Sequence, residues 1–237
     1  MALAQECRTF LDVGANIGVY ALFATLLPHI EKCIAFEPNP ETANELRKNI
    51  ARNSARIEIM EAAVSERAGE ATFGVVSDYA GNNAVVTTAM RDQFTRRITV
   101  PTITLDSISD LPEPICLKID VEGHEREAIA GAASLLERSC VLQVEDFESS
   151  IQALLPRGYS KLTNIGPDHY FTNIEGLSAL DAYERAARDL IASNHEAAWG
   201  ARQGGISVRR GDFTFQVGGR SAARLRKARG LLGRIGQ

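Results

Sequence analysis

Apolar and polar positions along the first 163 residues switch repeatedly between short continuous apolar runs and helical spacing. Thr9–Val13 is such a run, ends at Gly14 and predicts a buried strand. Ile17–Leu27 follows as a mostly apolar helix that Pro28 stops. Cys33–Phe36 predicts a second strand. Asn39 then offers a helix N-cap and Pro40 a first helical residue, and Ala43, Leu46 and Ile50 recur at helical spacing up to Asn53. Ile57–Met60 reads as a third strand. Gly69–Val76 and Ile98–Leu105 read as two strands around a polar segment, Ser77–Arg97, whose length is that of a binding lid.

Ile115–Ile119 predicts another strand, and Glu125–Glu137 a helix that turns Ile129, Ala132, Ala133 and Leu136 inward. Val141–Val144 reads as a strand, Ile151–Leu155 as a short helix, and Tyr159–Leu162 with His169–Thr172 as a closing hairpin. Strands alternating with helices imply a doubly wound α/β fold, a mainly parallel twisted sheet with helices on both faces, here with an antiparallel end. Leu177–Ala198 predicts a long helix, Ile206–Val208 and Phe213–Val217 a small hairpin, and Ser221–Arg229 a short basic helix. The chain thus divides into a core over 1–176 and an extension over 177–237.

Composition sharpens this picture. With 237 residues, 45% apolar and 24% charged, the chain can bury a sizeable core, which excludes a mainly disordered state. The net charge of −4 hides a division, because residues 1–201 carry −12 and residues 202–237 carry +8. An acidic body argues against a nucleic-acid partner held by phosphate contacts. In the tail, Arg224, Arg226, Lys227 and Arg229 alternate with Leu225, Leu231, Leu232 and Ile235. That pattern suits contact with an anionic membrane surface, or docking against the acidic body, which Gly230, Gly233 and Gly236 favour by weakening any helix. Cys7, Cys33, Cys116 and Cys140 match no zinc, iron–sulfur or redox spacing, so a reducing compartment is expected. The longest apolar stretch has 11 residues against the roughly 20 of a membrane span, and the N-terminus lacks a signal-peptide pattern. The cytoplasm is therefore the expected location. Oligomeric state has no signal here.

Two motifs carry the first chemistry. Asp12-Val13-Gly14-Ala15-Asn16-Ile17-Gly18 is a strand–turn–helix junction whose glycines allow a tight turn and a close approach to a ligand. It lacks the third glycine of a dinucleotide fingerprint and the Gly-Lys-Ser/Thr of a P-loop. Glu37 ends the second strand, where a carboxylate can accept both hydroxyls of a ribose. Together they read as a site for a nucleoside-containing ligand, and S-adenosylmethionine fits better than NAD.

Asp12–Gly18, Phe36–Pro40 (FEPNP), Ala62-Ala63-Val64-Ser65 with Gly69, Val100–Leu105 followed by Asp106, and Leu117–Gly123 (LKIDVEG) occur in this order. The set resembles the FkbM-type S-adenosylmethionine-dependent methyltransferases over roughly residues 9–175. The resemblance implies a Rossmann-like class I methyltransferase fold and O-methylation of a hydroxyl on a small molecule or saccharide, including a lipid-linked glycan. It implies that Asp12, Gly14, Ala15, Asn16 and Gly18 wrap the methionine part of the cofactor. Glu37 would hold the ribose, and Pro38, Asn39, Ala63 and Val64 would border the adenine. The basic segment after residue 200 lies outside the resemblance.

The third motif, Lys118 to His124, falls at the carboxyl end of the strand expected beside the first. Asp120, Glu122 and His124 are the catalytic candidates, because an alcohol needs a base to take its proton as the methyl group arrives. Asp120 can instead bind the cofactor's amino end, leaving Glu122 or His124 as base; Lys118 reads as structural. Glu145 and Asp146 end the next strand, where they can orient an acceptor hydroxyl or, with Asp120, hold a divalent metal, although the spacing demands none. Tyr79, Asn82, Asn83 and His169 are further polar groups for the substrate side. Methylation of nitrogen or protein, NAD-dependent oxidation and a non-catalytic scaffold are the alternatives. The first lacks an Asn/Asp-Pro-Pro-Tyr/Phe loop, the second a Tyr-x-x-x-Lys pair, and the intact Gly14, Gly18, Glu37 and Asp120 speak against the third.

Overall fold

A computed structural model describes residues 3–76, 83–86, 94–147 and 149–178, and the backbone of three further strands at 199–202, 205–210 and 213–217. The first strand, β1 (Thr9–Val13), is buried along its whole length. The chain then forms α1 (Val19–Ala24), β2 (Lys32–Phe36), α2 (Pro40–Arg52) and β3 (Glu58–Met60). Four short strands follow: β4 (Ala63–Val64), β5 (Gly69–Val75), β6 (Ala84–Val85) and β7 (Arg96–Ile103). After them come β8 (Ile115–Ile119), α3 (Glu125–Ala130), β9 (Cys140–Glu145), β10 (Ser160–Ile165) and β11 (Asp168–Thr172).

Seven strands form the main sheet in the order β10-β11-β9-β8-β1-β2-β3. From β9 to β3 every pair is parallel, whereas β11 runs antiparallel to β9 and β10 antiparallel to β11. This is the class I methyltransferase arrangement, with its antiparallel end. Chain order reverses between β1 and β8, so the crevice for a ligand opens at the carboxyl ends of those two strands. Both faces are covered. Leu11, Ile34, Leu117, Ile119 and Leu142 pack with Ala128 and Ile129 of α3 on one face. Phe10, Cys33, Ala35, Cys116 and Val141 pack with Ala21 and Ala24 of α1 and Leu46 of α2 on the other. All four cysteines are buried and free.

Between β3 and β8 the chain builds a second sheet, in the order β4-β7-β5-β6. The expected strands at 69–76 and 98–105 are present in it as β5 and β7, β7 beginning two residues earlier. The two-residue strands β4 and β6 are too short for any period to show. Of the polar segment between β5 and β7, residues 77–82 and 87–93 lie outside the description.

Two helices are shorter than their apolar periodicity suggests. α1 starts at Val19, because Gly14 (φ 75°), Asn16 (φ 53°) and Gly18 (φ 87°) hold left-handed conformations that prolong the turn. α3 stops at Gly131 because the Asp106 carboxylate accepts the backbone N–H of Ser134 (3.0 Å) and Leu135 (2.8 Å). The chain resumes only as a 3₁₀ turn at Leu135–Glu137. By contrast α2 is capped as expected, with Asn39 Oδ1 accepting from Glu41 N at 3.1 Å.

The C-terminal hairpin is part of a three-stranded antiparallel sheet, β12 (Trp199–Arg202), β13 (Gly205–Arg210) and β14 (Phe213–Val217). The helix expected over 177–198 lies outside the described residues except for 177 and 178, and the basic helix over 221–229 lies outside them wholly. No helix among the described residues is long and apolar enough to cross a membrane.

Gly131 closes α3 against the second sheet, and a Cβ there would stand 2.0 Å from the Ser65 carbonyl oxygen. Ala ordinarily stabilises a helix relative to Gly by about 1 kcal/mol. Gly131→Ala should instead destabilise the chain by about 1–3 kcal/mol through overpacking. A lowered midpoint in urea unfolding is the expected result.

Candidate active site

The crevice at the β1/β8 switch point forms a cleft that is open to solvent at its mouth. Gly14, Asn16, Glu37, Pro38, Ala63, Val64, Asp120, Glu122 and His124, all singled out in the sequence, line it. Phe73 and Val85 of the second sheet and Phe36 of β2 complete an apolar wall, and Asn83, just before β6, also lines the cleft. Asp12, Ala15, Gly18 and Asn39 do not line the cleft; they lie behind its surface.

The glycine turn is built by contact. A Cβ on Gly14 would lie 1.9 Å from the Asp120 carbonyl oxygen, so the β1 turn and the β8 turn touch backbone to backbone. Gly14 N–H and Ala15 N–H both donate to the Phe36 carbonyl, at 3.1 and 2.9 Å. That fixes the turn against the end of β2, and hence against Glu37.

Glu37 is 6% exposed and accepts two backbone hydrogen bonds, from Asn16 N and Asn39 N, both at 2.9 Å. Burial pushes its carboxyl up to about 7, although those two N–H groups favour the charged form. Each oxygen keeps a further acceptor position, as a pair of vicinal hydroxyls requires. Asn39 therefore serves twice, as the α2 cap and as a clamp on Glu37.

Asp12 is fully buried. Its Oδ2 accepts from Ala21 N in α1 at 2.9 Å, and its Oδ1 lies 3.1 Å from Lys118 Nζ. On the opposite wall Glu122 adopts a left-handed backbone (φ 57°), followed by Gly123 (φ 101°). The Glu125 carboxylate holds this turn by accepting from Val121 N at 3.2 Å and Gly123 N at 3.0 Å. His124 shares a hydrogen bond of 3.0 Å between its Nε2 and the Ser65 hydroxyl, and its Nδ1 lies 3.4 Å from Glu127. Burial outweighs the nearby carboxylates of Glu127, Glu125 and Glu66 and keeps its basicity below that of a free imidazole, so the ring is neutral at pH 7.

Glu145 stands at the same sheet edge, opposite Asp168 of β11 in register. Burial, then the charges of Asp120, Glu122 and Asp168, push its carboxyl up to about 7. Asp146 does not join it: its two oxygens accept from Ser150 N (3.1 Å) and Ile151 N (2.9 Å) and cap the turn at Ile151–Leu154. His169 is buried with its Nδ1 3.9 Å from Asp146. Asn83 lines the cleft while accepting from Val76 N at 2.9 Å. Tyr79 and Asn82 lie outside the described residues. Among the described residues, no group of three or more His, Cys, Asp and Glu is placed to hold a metal ion. Sequence reasoning missed Phe73 and Val85, whose only signal was an apolar face on strands too short or too distant to pair by inspection.

The perturbed Glu37 has a measurable consequence. An unfolded glutamate ionises near 4.5 and the folded one near 7, so between those values only the folded chain keeps the proton. Its contribution to stability must fall as pH rises from about 4.5 to about 7 and then level off. Glu37→Gln removes this component, so the wild-type advantage over the variant should shrink across that window by up to about 3 kcal/mol. Urea unfolding of both proteins at about pH 5 and about pH 8 measures the difference; parallel pH dependences would contradict the assignment.

The chain is 30% identical over 137 residues to the hexuronic acid methyltransferase AglP of Haloferax volcanii, covering 56% of this chain and 54% of that protein. It thus spans about half the length of that curated relative. Among solved structures it is similar to a putative methylase of Haemophilus influenzae (16% identity, TM-score 0.43, 73% of this chain and 91% of that one). Another is a putative methyltransferase of Streptococcus mutans in complex with SAH (8% identity, TM-score 0.43, 72% and 91%). The family described as Methyltransferase FkbM domain matches residues 12–177, which include every strand of the main sheet but the first three residues of β1. The chain belongs to the FkbM family of S-adenosylmethionine-dependent methyltransferases.

Proposed function

We propose that this chain methylates a hydroxyl oxygen of a saccharide acceptor, with residues up to 176 forming the catalytic unit. One observation carries the reading: a buried carboxyl, Glu37, and a base-bearing turn, Asp120–His124, face one cleft across a glycine turn that touches both. The saccharide acceptor is supported by the hexuronic acid methyltransferase to which the chain is similar. Neither methylation of nitrogen or protein nor NAD-dependent oxidation is favoured by these findings.

The residues present fit the cofactor. Glu37 would accept the ribose hydroxyls, Gly14 and Asn16 would face the methionine part, and Pro38, Ala63, Val64, Phe73 and Val85 would border the adenine. Bound S-adenosylmethionine supplies a methyl group on a positively charged sulfur, open to in-line displacement. The chain's share is alignment and proton removal. Glu122, held in its left-handed turn by Glu125, would take the proton of the acceptor hydroxyl during methyl transfer. His124, fixed by Ser65, forms the neighbouring wall.

Calorimetric titration should show binding of S-adenosylmethionine and of its demethylated product, and none of NAD. Glu37→Ala should weaken that binding by at least about tenfold, the worth of one to two hydrogen bonds to a charged group. Glu122→Gln should leave it unchanged while lowering kcat about 10²–10⁴-fold, with His124→Ala milder. Full activity of both variants in a labelled-methyl assay on saccharide fractions would sink the choice of base.

A further inference from the structure

Lys118 reads from the sequence as a structural residue, yet its surroundings give it more to do. It lies on β8 directly opposite Asp12 of β1, both on the sheet face that α1 covers. The side chain is 3% exposed, and its Nζ meets four groups. These are Asp12 Oδ1 at 3.1 Å, the Gly14 carbonyl at 3.5 Å, Asp120 Oδ2 at 3.7 Å and the Tyr20 ring, whose centroid is 4.9 Å away. Burial alone would drive the ammonium to lose its proton, but the two carboxylates outweigh it and hold Lys118 charged, above its ordinary value.

Stability does not account for this arrangement. A buried ion pair contributes little beyond what a neutral pair of similar shape supplies, because desolvation offsets most of the Coulomb gain. What the ammonium adds is connection. Asp12 is tied to the first turn of α1, Gly14 belongs to the cofactor turn, and Asp120 is the charged member of the set that lines the cleft, with its side chain 28% exposed. The three charged groups sum to one negative charge, and only Asp120 presents it outward.

We infer that Lys118 is a positioning residue, which locks the Asp120 carboxylate and the Gly14 turn into one rigid cradle for the cationic amino-acid end of the cofactor. Asp120 then binds the cofactor's ammonium, and proton removal falls to Glu122. The inference rests on the S-adenosylmethionine dependence of the family and adds which buried group shapes that subsite.

Lys118→Met alone is a poor test, since it strands the Asp12 carboxylate in the core. The informative variant is Asp12→Asn with Lys118→Gln, which exchanges the ion pair for an amide pair and leaves Asp120 untouched. Thermal unfolding of the ligand-free protein checks that the fold survives. Calorimetry then compares wild type and variant for S-adenosylmethionine and for methylthioadenosine, which has the ribose and adenine but no amino-acid end. The expected result is a melting temperature close to wild type, affinity for S-adenosylmethionine reduced at least about tenfold and affinity for methylthioadenosine unchanged. Equal affinity for S-adenosylmethionine in both proteins overturns the inference and leaves Lys118 a core ion pair. Equal loss for both ligands overturns it too, because the effect is then not confined to the amino-acid end. Failure of the wild type itself to bind S-adenosylmethionine would overturn the cofactor assignment first, and this inference with it.

Discussion

The site depends on one close approach, that of the Gly14 backbone to the carbonyl of Asp120. No side chain larger than hydrogen fits between them, so the ends of β1 and β8 meet backbone to backbone where chain order reverses in the sheet. Any other residue would push the two turns apart and separate the groups that each turn carries. The left-handed conformation of Gly14 serves the same end, since it brings the turn back toward β2 and lets two successive N–H groups share the Phe36 carbonyl. Three strand ends are thereby held in one frame.

Electrostatics in that frame are uneven. Burial pushes the carboxyl of Glu37, at the floor of the cleft, up to about 7, and burial together with its acidic neighbours does the same to Glu145 at the end of β9. Among the described residues the one buried ammonium, Lys118, lies behind the glycine turn and not in the cleft. Among the described residues, no Lys or Arg lines the cleft, whereas Glu37, Asp120 and Glu122 do. Such a surface suits a positively charged cofactor.

Much of this was legible in the sequence wherever the chemistry is local. The strands β1 and β8 match their apolar runs end to end, Asn39 and Pro40 announce α2, and Gly14 and Glu37, singled out together, line one cleft. What stayed hidden depends on partners distant in the chain. Asp106 shortens α3 by capturing the N–H groups of Ser134 and Leu135, which no helical period can reveal. Asp146 has the composition of a site residue but is consumed in capping a turn. Lys118 and Asp12 are 106 positions apart and become neighbours only once β1 and β8 pair in register. In the second sheet β5 and β7 show in the sequence, but the two-residue β4 and β6 have too little periodicity to declare themselves, although the sheet supplies Phe73 and Val85 to the cleft.

Ser65 touches both ends of α3. Its hydroxyl meets the imidazole of His124, the N-cap, and its carbonyl abuts Gly131, the C-cap. The helix is therefore a strut of fixed length, about 9 Å for its six residues, clamped at either end by the residue that follows β4. One residue more or fewer would swing the imidazole by about 100° around the helix axis and break the clamp. The length of α3 therefore cannot change without moving the wall that His124 gives the cleft.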